Sequence, residues 1–467
     1  MIKLQAPVDI ADWQAVASQK RRSAVCGRFD LSIDTPAPLS HPPDMKRSIL
    51  LFTLLAAAAF ATSAAFAHPW PRHTIDESSR GADGIRTADI NGDGLLDLTT
   101  GWEEGGVVRV YLNPGPQAAT QPWPAVTVGH VRSPEDAVFA DIDGDGASDV
   151  VSSCEGKTRQ IFIHWSPATP ANLLEAAAWQ TEPLPAADNG QQWMYAQPLQ
   201  IDGQFGVDLI IGSKGNNASI GWLQSPADPR QTDAWTYHRL CDAGWIMSLI
   251  PHDMDGDGDQ DMLASDRRGP GRGVFWLENP GATEAARGGR WPKHVLGAAD
   301  REVMFLDLGA PAGHAPGSVV AACKDAEIVV LTRPKQQPTM AWQCTTIPFP
   351  SGCGQAKAAA TADIDLDGHA DIVFTCEAAT KQFSGVRWLS RNRAGGWDDH
   401  EVSGPEGVKF DRIELIDCDH DGDLDIVTCE ERSNLGVIWY ENPTRSPNDA
   451  ETGLIDTPPH HQTYTNQ

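Results

Sequence analysis

The chain has 467 residues, is 41% hydrophobic and carries a formal net charge of −27. That length and apolar content support one large domain or two or three ordinary ones, each with a substantial core. The acidic excess argues against nucleic acid or an anionic membrane as partner.

Taken in order, the first feature is a targeting signal. Met45-Lys46-Arg47 opens a basic stretch, an apolar run follows from Ile49, and Ala65-Phe66-Ala67 fits a small-residue cleavage site. This is the pattern of a secretory signal peptide over 45–67, giving a mature start at His68 and no membrane span in the mature chain. Residues 1–44 precede a signal that belongs at a true N-terminus, so they read as a mis-assigned start or an extension.

From there one stretch recurs. In its cleanest form it runs Asp141-Ile-Asp143-Gly-Asp145-Gly-Ala-Ser-Asp149, with carboxylates at positions 1, 3, 5 and 9 and glycine at position 6. It returns at Asp89-Asn91-Asp93-Asp97, Asp253-Asp255-Asp257-Asp261, Asp363-Asp365-Asp367-Asp371 and Asp417-Asp419-Asp421-Asp425. Oxygen ligands alternating through a tight turn suit a hard cation such as Ca²⁺. An EF-hand loop would need a bidentate acid at position 12. Thr100, Ser152, Ala264, Phe374 and Thr428 stand there instead, so the loop closes at position 9.

The first positions of the stretch are Asp89, Asp141, Gln200, Asp253, Asp307, Asp363 and Asp417, a beat of roughly fifty to sixty residues. Trp70, Trp123, Trp179, Trp235, Trp291, Trp342 and Trp397 keep the same beat, and His73, His238, His294 and His400 follow four of them by three residues. A third marker is an apolar run ending in an aromatic and often followed by Asn-Pro, as at Asn113-Pro114, Asn279-Pro280 and Asn442-Pro443. Each repeat holds four short, β-branched runs bounded by Gly, Pro and Asp, which read as strands. Four strands in about fifty residues make a propeller blade. The expected fold is all-β, a seven-bladed propeller of four-stranded antiparallel blades over 68–443. Because the chain starts on a fourth-strand motif, Trp70 to Ile75, and ends after a third strand at Tyr440, the N-terminal strand is expected to complete the last blade. Residues 444–467 read as a disordered tail. Repeats three (Gln200, Asp202, Gln204, Asp208) and five (Asp307 to Ser318) have lost the loop chemistry. Five calcium ions are therefore predicted. Cys154, Cys323, Cys376 and Cys429 recur late in an apolar run and read as small buried strand residues.

On these residues the chain resembles the FG-GAP/VCBS repeat family of calcium-binding β-propellers, and is similar to the integrin α-subunit head and to secreted bacterial propellers. The resemblance implies that acids at positions 1, 3, 5 and 9 bind the ion with help from the position-7 carbonyl. It places Leu95, Ala147, Asp259, His369 and Asp423 as main-chain ligands.

The loops all lie on one face, so a partner is expected on the other. There a ring of polar residues follows the second strands and includes Glu103, Glu155, Glu377 and Glu430. Trp193 and Trp245 on nearby loops add aromatic surface. The leading expectation is a secreted, calcium-stabilised binding module whose ligand is a glycan or a cell-surface protein. The alternatives are a sugar lyase or dehydratase with an acidic site at the mouth, and an architectural assembly protein. No Ser/His/Asp triad, G-x-S-x-G or H-E-x-x-H motif supports catalysis.

Overall fold

The computed structural model describes residues 69–333 and 342–445. The expected signal peptide, the residues before it and the tail beyond Arg445 lie outside the described residues.

The first strand, β1 (Arg72–Asp76), is followed by six consecutive four-strand sheets. Blade 1 is Ala82–Ala88, Asp97–Trp102, Val107–Tyr111 and Ala125–Gly129 (β2–β5). Blade 2 is Pro134–Ala140, Asp149–Cys154, Gln160–Trp165 and Gln180–Pro183 (β6–β9). Blade 3 is Gln192–Leu199, Asp208–Lys214, Ser219–Gln224 and Thr236–Asp242 (β10–β13). Blade 4 is Ile246–His252, Asp261–Asp266, Gly273–Leu277 and Lys293–Gly297 (β14–β17). Blade 5 is Val303–Leu308, Val319–Cys323, Glu327–Thr332 and Gln343–Pro348 (β18–β21). Blade 6 is Gln355–Ala362, Asp371–Glu377, Val386–Arg391 and Trp397–Glu401 (β22–β25). Blade 7 is Phe410–Ile416, Asp425–Glu430 and Gly436–Tyr440 (β26–β28), with β1 on its outer edge. There Arg72 pairs with Tyr440 and His73 with Trp439, so β1 covers the backbone edge that β28 would otherwise expose. Each blade's first strand contacts the next blade's first strand, and β26 contacts β2, which closes the ring.

Burial falls from the centre outward. The second strands β3, β7, β15 and β27 are buried at every residue, because each lies between two strands of its own sheet and between two neighbouring blades. The four recurrent cysteines sit here and are fully buried. Fourth strands such as β9 and β25 hold no buried residue. The first strands line the axis and carry polar side chains that tie blades together. Arg86 on β2 grips Asp136 on β6 with two bonds, Nε to Oδ1 at 3.1 Å and Nη2 to Oδ2 at 3.0 Å. Thr361 on β22 donates from its backbone and its hydroxyl to Asp307 on β18. All seven first strands have a break in register close to their start, for example between Trp193 and Tyr195 and between Pro134 and Asp136. An extra residue there exchanges which side chains face inward.

The tryptophan and histidine markers join in one device. A histidine of the fourth strand lies directly across from, and stacks on, the tryptophan of the third: His73 on Trp439, His238 on Trp222, His294 on Trp276 and His400 on Trp388, with ring centres 3.9–4.7 Å apart. The imidazole edge is held by Glu441, Gln224, Glu278 or Ser390. The stacks brace the blade rims and account for four of the sixteen tryptophans.

Candidate functional site

The acidic loops join first to second strands in blades 1, 2, 4, 6 and 7, and so share one face. Their glycines at position 6 have φ between +86° and +100°. A Cβ at Gly94, Gly146, Gly258 or Gly368 would meet nothing within 4 Å, so the backbone conformation, not space, requires glycine. The position-1 aspartate accepts the N–H of this glycine in every copy: Asp89 from Gly94, Asp141 from Gly146, Asp253 from Gly258, Asp363 from Gly368 and Asp417 from Gly422. The position-5 aspartate accepts the N–H of residue 7.

Position 9 does a different job. Asp149 accepts the N–H of Ile142 in the loop and of Ser166 at the end of β8. Asp97, Asp208, Asp261 and Asp425 repeat this clamp with Asn113, Ser225, Asn279 and Asn442. Asp208 keeps it in blade 3, where the rest of the loop has diverged. The ninth residue thus ties loop to sheet in five blades, while Asp371 of blade 6 keeps only the bond from Ile364.

Four loops bring acids together. Asp141, Asp143 and Asp149 place one oxygen each within 4.8 Å of one another, as do Asp253, Asp255 and Asp261, then Asp363, Asp365 and Asp371, and finally Asp417, Asp419 and Asp425. Each group could hold a metal ion. The position-5 acids Asp145, Asp257, Asp367 and Asp421 are not among these triads. In blade 1 the amide of Asn91 donates to Asp93 Oδ2 at 2.9 Å, and no such three-acid group forms. The donor set nonetheless fits a hard cation, because buried carboxylate oxygens are left without a partner: Asp141 Oδ1, Asp421 Oδ2, Asp423 Oδ1 and Asp259 Oδ1. Such orphans are costly unless something positive meets them. The last two belong to position 7, where the resemblance implied only a carbonyl.

Blade 3 shows the alternative. Gln200 holds position 1, and its Nε2 donates to the carbonyls of Gln204 and Gly206, at positions 5 and 7. An amide group thus fills the loop's centre. In blade 5, Asp307 is turned to Thr361 of the next blade. Both departures agree with the divergence seen in the repeats.

Crowding perturbs the acids. Burial first, and neighbouring carboxylates after it, push Asp149, Asp261 and Asp371 up to about 7 despite the backbone N–H bonds that pull the other way. Asp97 and Asp208 rise to about 6 for the same leading reason. A carboxyl raised above its unfolded value binds a proton preferentially in the folded state. Its contribution to stability is complete below about pH 4 and is lost as pH rises through about 7. Metal-free protein should therefore melt at a higher temperature at pH 5 than at pH 8 as far as these groups decide. Metal that must displace their protons should stabilise it more at pH 8 than at pH 5. Thermal melts at the two pH values, with and without added cation, check both signs.

The opposite face holds the mouth. Glu103, at the end of β3, joins Asp83 of β2 and Glu135 of β6, with one oxygen from each within 4.8 Å of the others. Beside them is a cavity of about 610 Å³ lined by Glu103, Glu104, His130 and Arg132. Glu155 is paired with Lys214, which also meets Glu135 at 3.2 Å. Glu377 is paired with Lys324 at 2.6 Å. Two expected residues are removed from the mouth. Glu430 is fully buried and accepts the backbone N–H groups of Val408, Lys409, Arg432, Ser433 and Leu435. Trp193 is fully buried between blades 2 and 3, its indole donating to the carbonyl of Ala187. Trp245 is half-buried beneath Lys214, Arg267 and Arg268, each 4.4–4.9 Å from its ring.

Asp83 and Asp411 were not picked out from the sequence. They meet side by side at the boundary between blades 7 and 1, and burial followed by Asp411 raises Asp83 well above the carboxylate range. Asp411 stays low despite its burial because Lys357 lies 3.7 Å away. An aspartate at the start of an inner strand was the only signal, and the register break obscured it.

A seven-bladed β-propeller with repeated acidic loops is the class that these features define. Residues 89–152, which span the loops of blades 1 and 2, match the family model described as an FG-GAP-like repeat. No curated protein matches the chain. Among solved structures the chain is similar to the β-propeller domain of Cps50 (Swd1) from Myceliophteria thermophila, with 11% identity, 79% of this chain and 99% of that chain covered, and a TM-score of 0.49. It is also similar to BBS1N in complex with ARL6DN, with 11% identity, 79% and 96% coverage and a TM-score of 0.46. Among the described residues no helix is long and apolar enough to cross a membrane.

Proposed function

We propose that the protein is an exported binding module, braced by calcium at the loops of blades 1, 2, 4, 6 and 7, that grips an extracellular protein with its opposite face. The observation that carries the calcium reading is the convergence of three carboxylate oxygens in each of four loops, with partnerless oxygens in three of them. Calcium would cancel the mutual repulsion of those acids and cross-link the hairpin at the inner edge of each blade. Asp141, Asp143 and Asp149 would hold it in blade 2, with the equivalent triads in blades 4, 6 and 7. Blade 1 would be the weakest of the five, since Asn91 supplies a neutral oxygen.

The mouth favours a protein ligand over a glycan. Sugar binding calls for open aromatic faces, but Trp193 is buried and Trp245 is covered by cations. What remains is an interleaved set of acids and bases, which suits a charged loop of a partner. Export rests on the sequence of residues 45–67 and on the suitability of millimolar extracellular calcium for sites of this kind.

A second reading has one observation in its favour. Asp83, Glu103 and Glu135 converge beside a cavity that holds His130, a set able to seat a metal or pass a proton in a lyase or dehydratase. Surface-display or affinity selection of extracellular proteins, with a glycan array in parallel, separates the readings. Glu103→Gln with Glu135→Gln should abolish capture at least tenfold. Unchanged capture by the double variant would discredit the mouth as the contact face, and turnover of a uronide-containing glycan would favour the enzyme.

A further inference from the structure

One loop of the acidic face already contains a cation of the protein's own. Arg230 lies in the connection between β12 and β13 of blade 3, yet its Nε donates to Asp143 Oδ2 of blade 2 at 2.5 Å. Its Nη2 lies 4.0 Å from Asp145 Oδ2, and its guanidinium carbon lies 4.7 Å from the centre of the Trp165 ring. Asp143 Oδ1 accepts the N–H of Asp145, and both oxygens of Asp149 are taken by backbone N–H groups. With Asp143 Oδ2 held by Arg230, Asp141 Oδ1 is left as the buried oxygen without a partner.

Among the described residues no lysine or arginine side chain pairs with a loop acid of blades 1, 4, 6 or 7. Arg333 reaches the blade 4 loop but donates to the carbonyl of Met254, leaving the carboxylates untouched. The segment that carries Arg230 is held in place independently. Trp235 donates to the carbonyl of Pro229, and Gln231 and the Arg230 N–H both bond Asp228. The guanidinium is thus presented to blade 2 by a built turn, and its side chain is 42% exposed, free to swing away.

We propose that Arg230 is an internal counter-ion that latches blade 3 to the blade 2 loop and competes with calcium for Asp143, making this site weaker than those of blades 4, 6 and 7. The proposal rests on the calcium reading. Calcium that takes Asp143 through Oδ2 must displace the guanidinium from that oxygen, since the two positive charges repel at that distance. Binding at blade 2 therefore requires the latch to open. A latch closed about nine-tenths of the time lowers the apparent affinity about tenfold. Opening lifts the guanidinium from Trp165, so the event has an optical signal in the protein itself.

The test is a calcium titration of the purified protein, of Arg230→Ala and of Arg230→Gln, followed by calorimetry and by tryptophan emission. The wild type should show a blade 2 class filling later than those of blades 4, 6 and 7, with a change in tryptophan emission. In both variants that class should shift to about tenfold lower calcium and the emission change should vanish. Superimposable isotherms for all three proteins would overturn the latch and leave the calcium reading standing. Absence of uptake by all three would overturn the calcium reading and the latch with it.

Discussion

Transfer of the protein from 1 mM calcium into chelator lowers its melting temperature by about 10 °C. The size follows from mass action. Extracellular sites of this kind bind at roughly 10⁻⁴–10⁻³ M, so each contributes about 1 kcal/mol at that calcium level. Five sites acting on one cooperative ring sum to about 5 kcal/mol, and each kcal/mol moves the midpoint of a large domain by about 2 °C. Magnesium should not substitute, because it demands a tighter octahedral shell than an aspartate-rich turn offers. Differential scanning calorimetry in calcium, magnesium and chelator reads the effect directly. The loss should be smaller in a variant carrying Asp253→Asn and Asp255→Asn, which removes one site while Asp261 keeps its clamp on Met254 and Asn279.

Replacing Glu430 with alanine should cost about 3–5 kcal/mol, because several buried backbone N–H groups lose their acceptor together. Its carboxylate gathers two N–H groups of the segment before β26 and three of the turn after β27, so it fixes both loops at once. Glu103→Ala should cost under about 1 kcal/mol, since it relieves an acid from a like-charged group. Denaturant titrations of the two variants compare them. Equal losses would mean that Glu430 is as dispensable as a mouth residue and that the backbone bonds carry little.

That contrast marks where the sequence could be read and where it could not. The beat of Asp, Trp and Asn-Pro reports strand and blade number, since each marker sits at a fixed place in the repeated hairpins. The loss of loop chemistry in repeats three and five was equally visible, because Gln200 and Asp307 break the pattern at position 1. The mouth was harder. Glu103 and Glu430 follow equivalent strands and look alike in sequence, but only Glu430 is followed by a turn that folds its N–H groups back onto the carboxylate. Trp193 was misplaced by the register break between Trp193 and Tyr195, which reverses the facing of every residue before it. The role of Arg230 was invisible for another reason. It reaches an acid that lies 87 positions away, across a blade boundary.

The most direct test of the account is the calcium content of the purified protein. After equilibrium dialysis against 1 mM calcium, elemental analysis of the protein side, less the dialysate, should find about three to four bound calcium ions per chain, falling by about one when Asp363 and Asp365 are both changed to Asn. A content near zero, with melting indifferent to chelator, would contradict it.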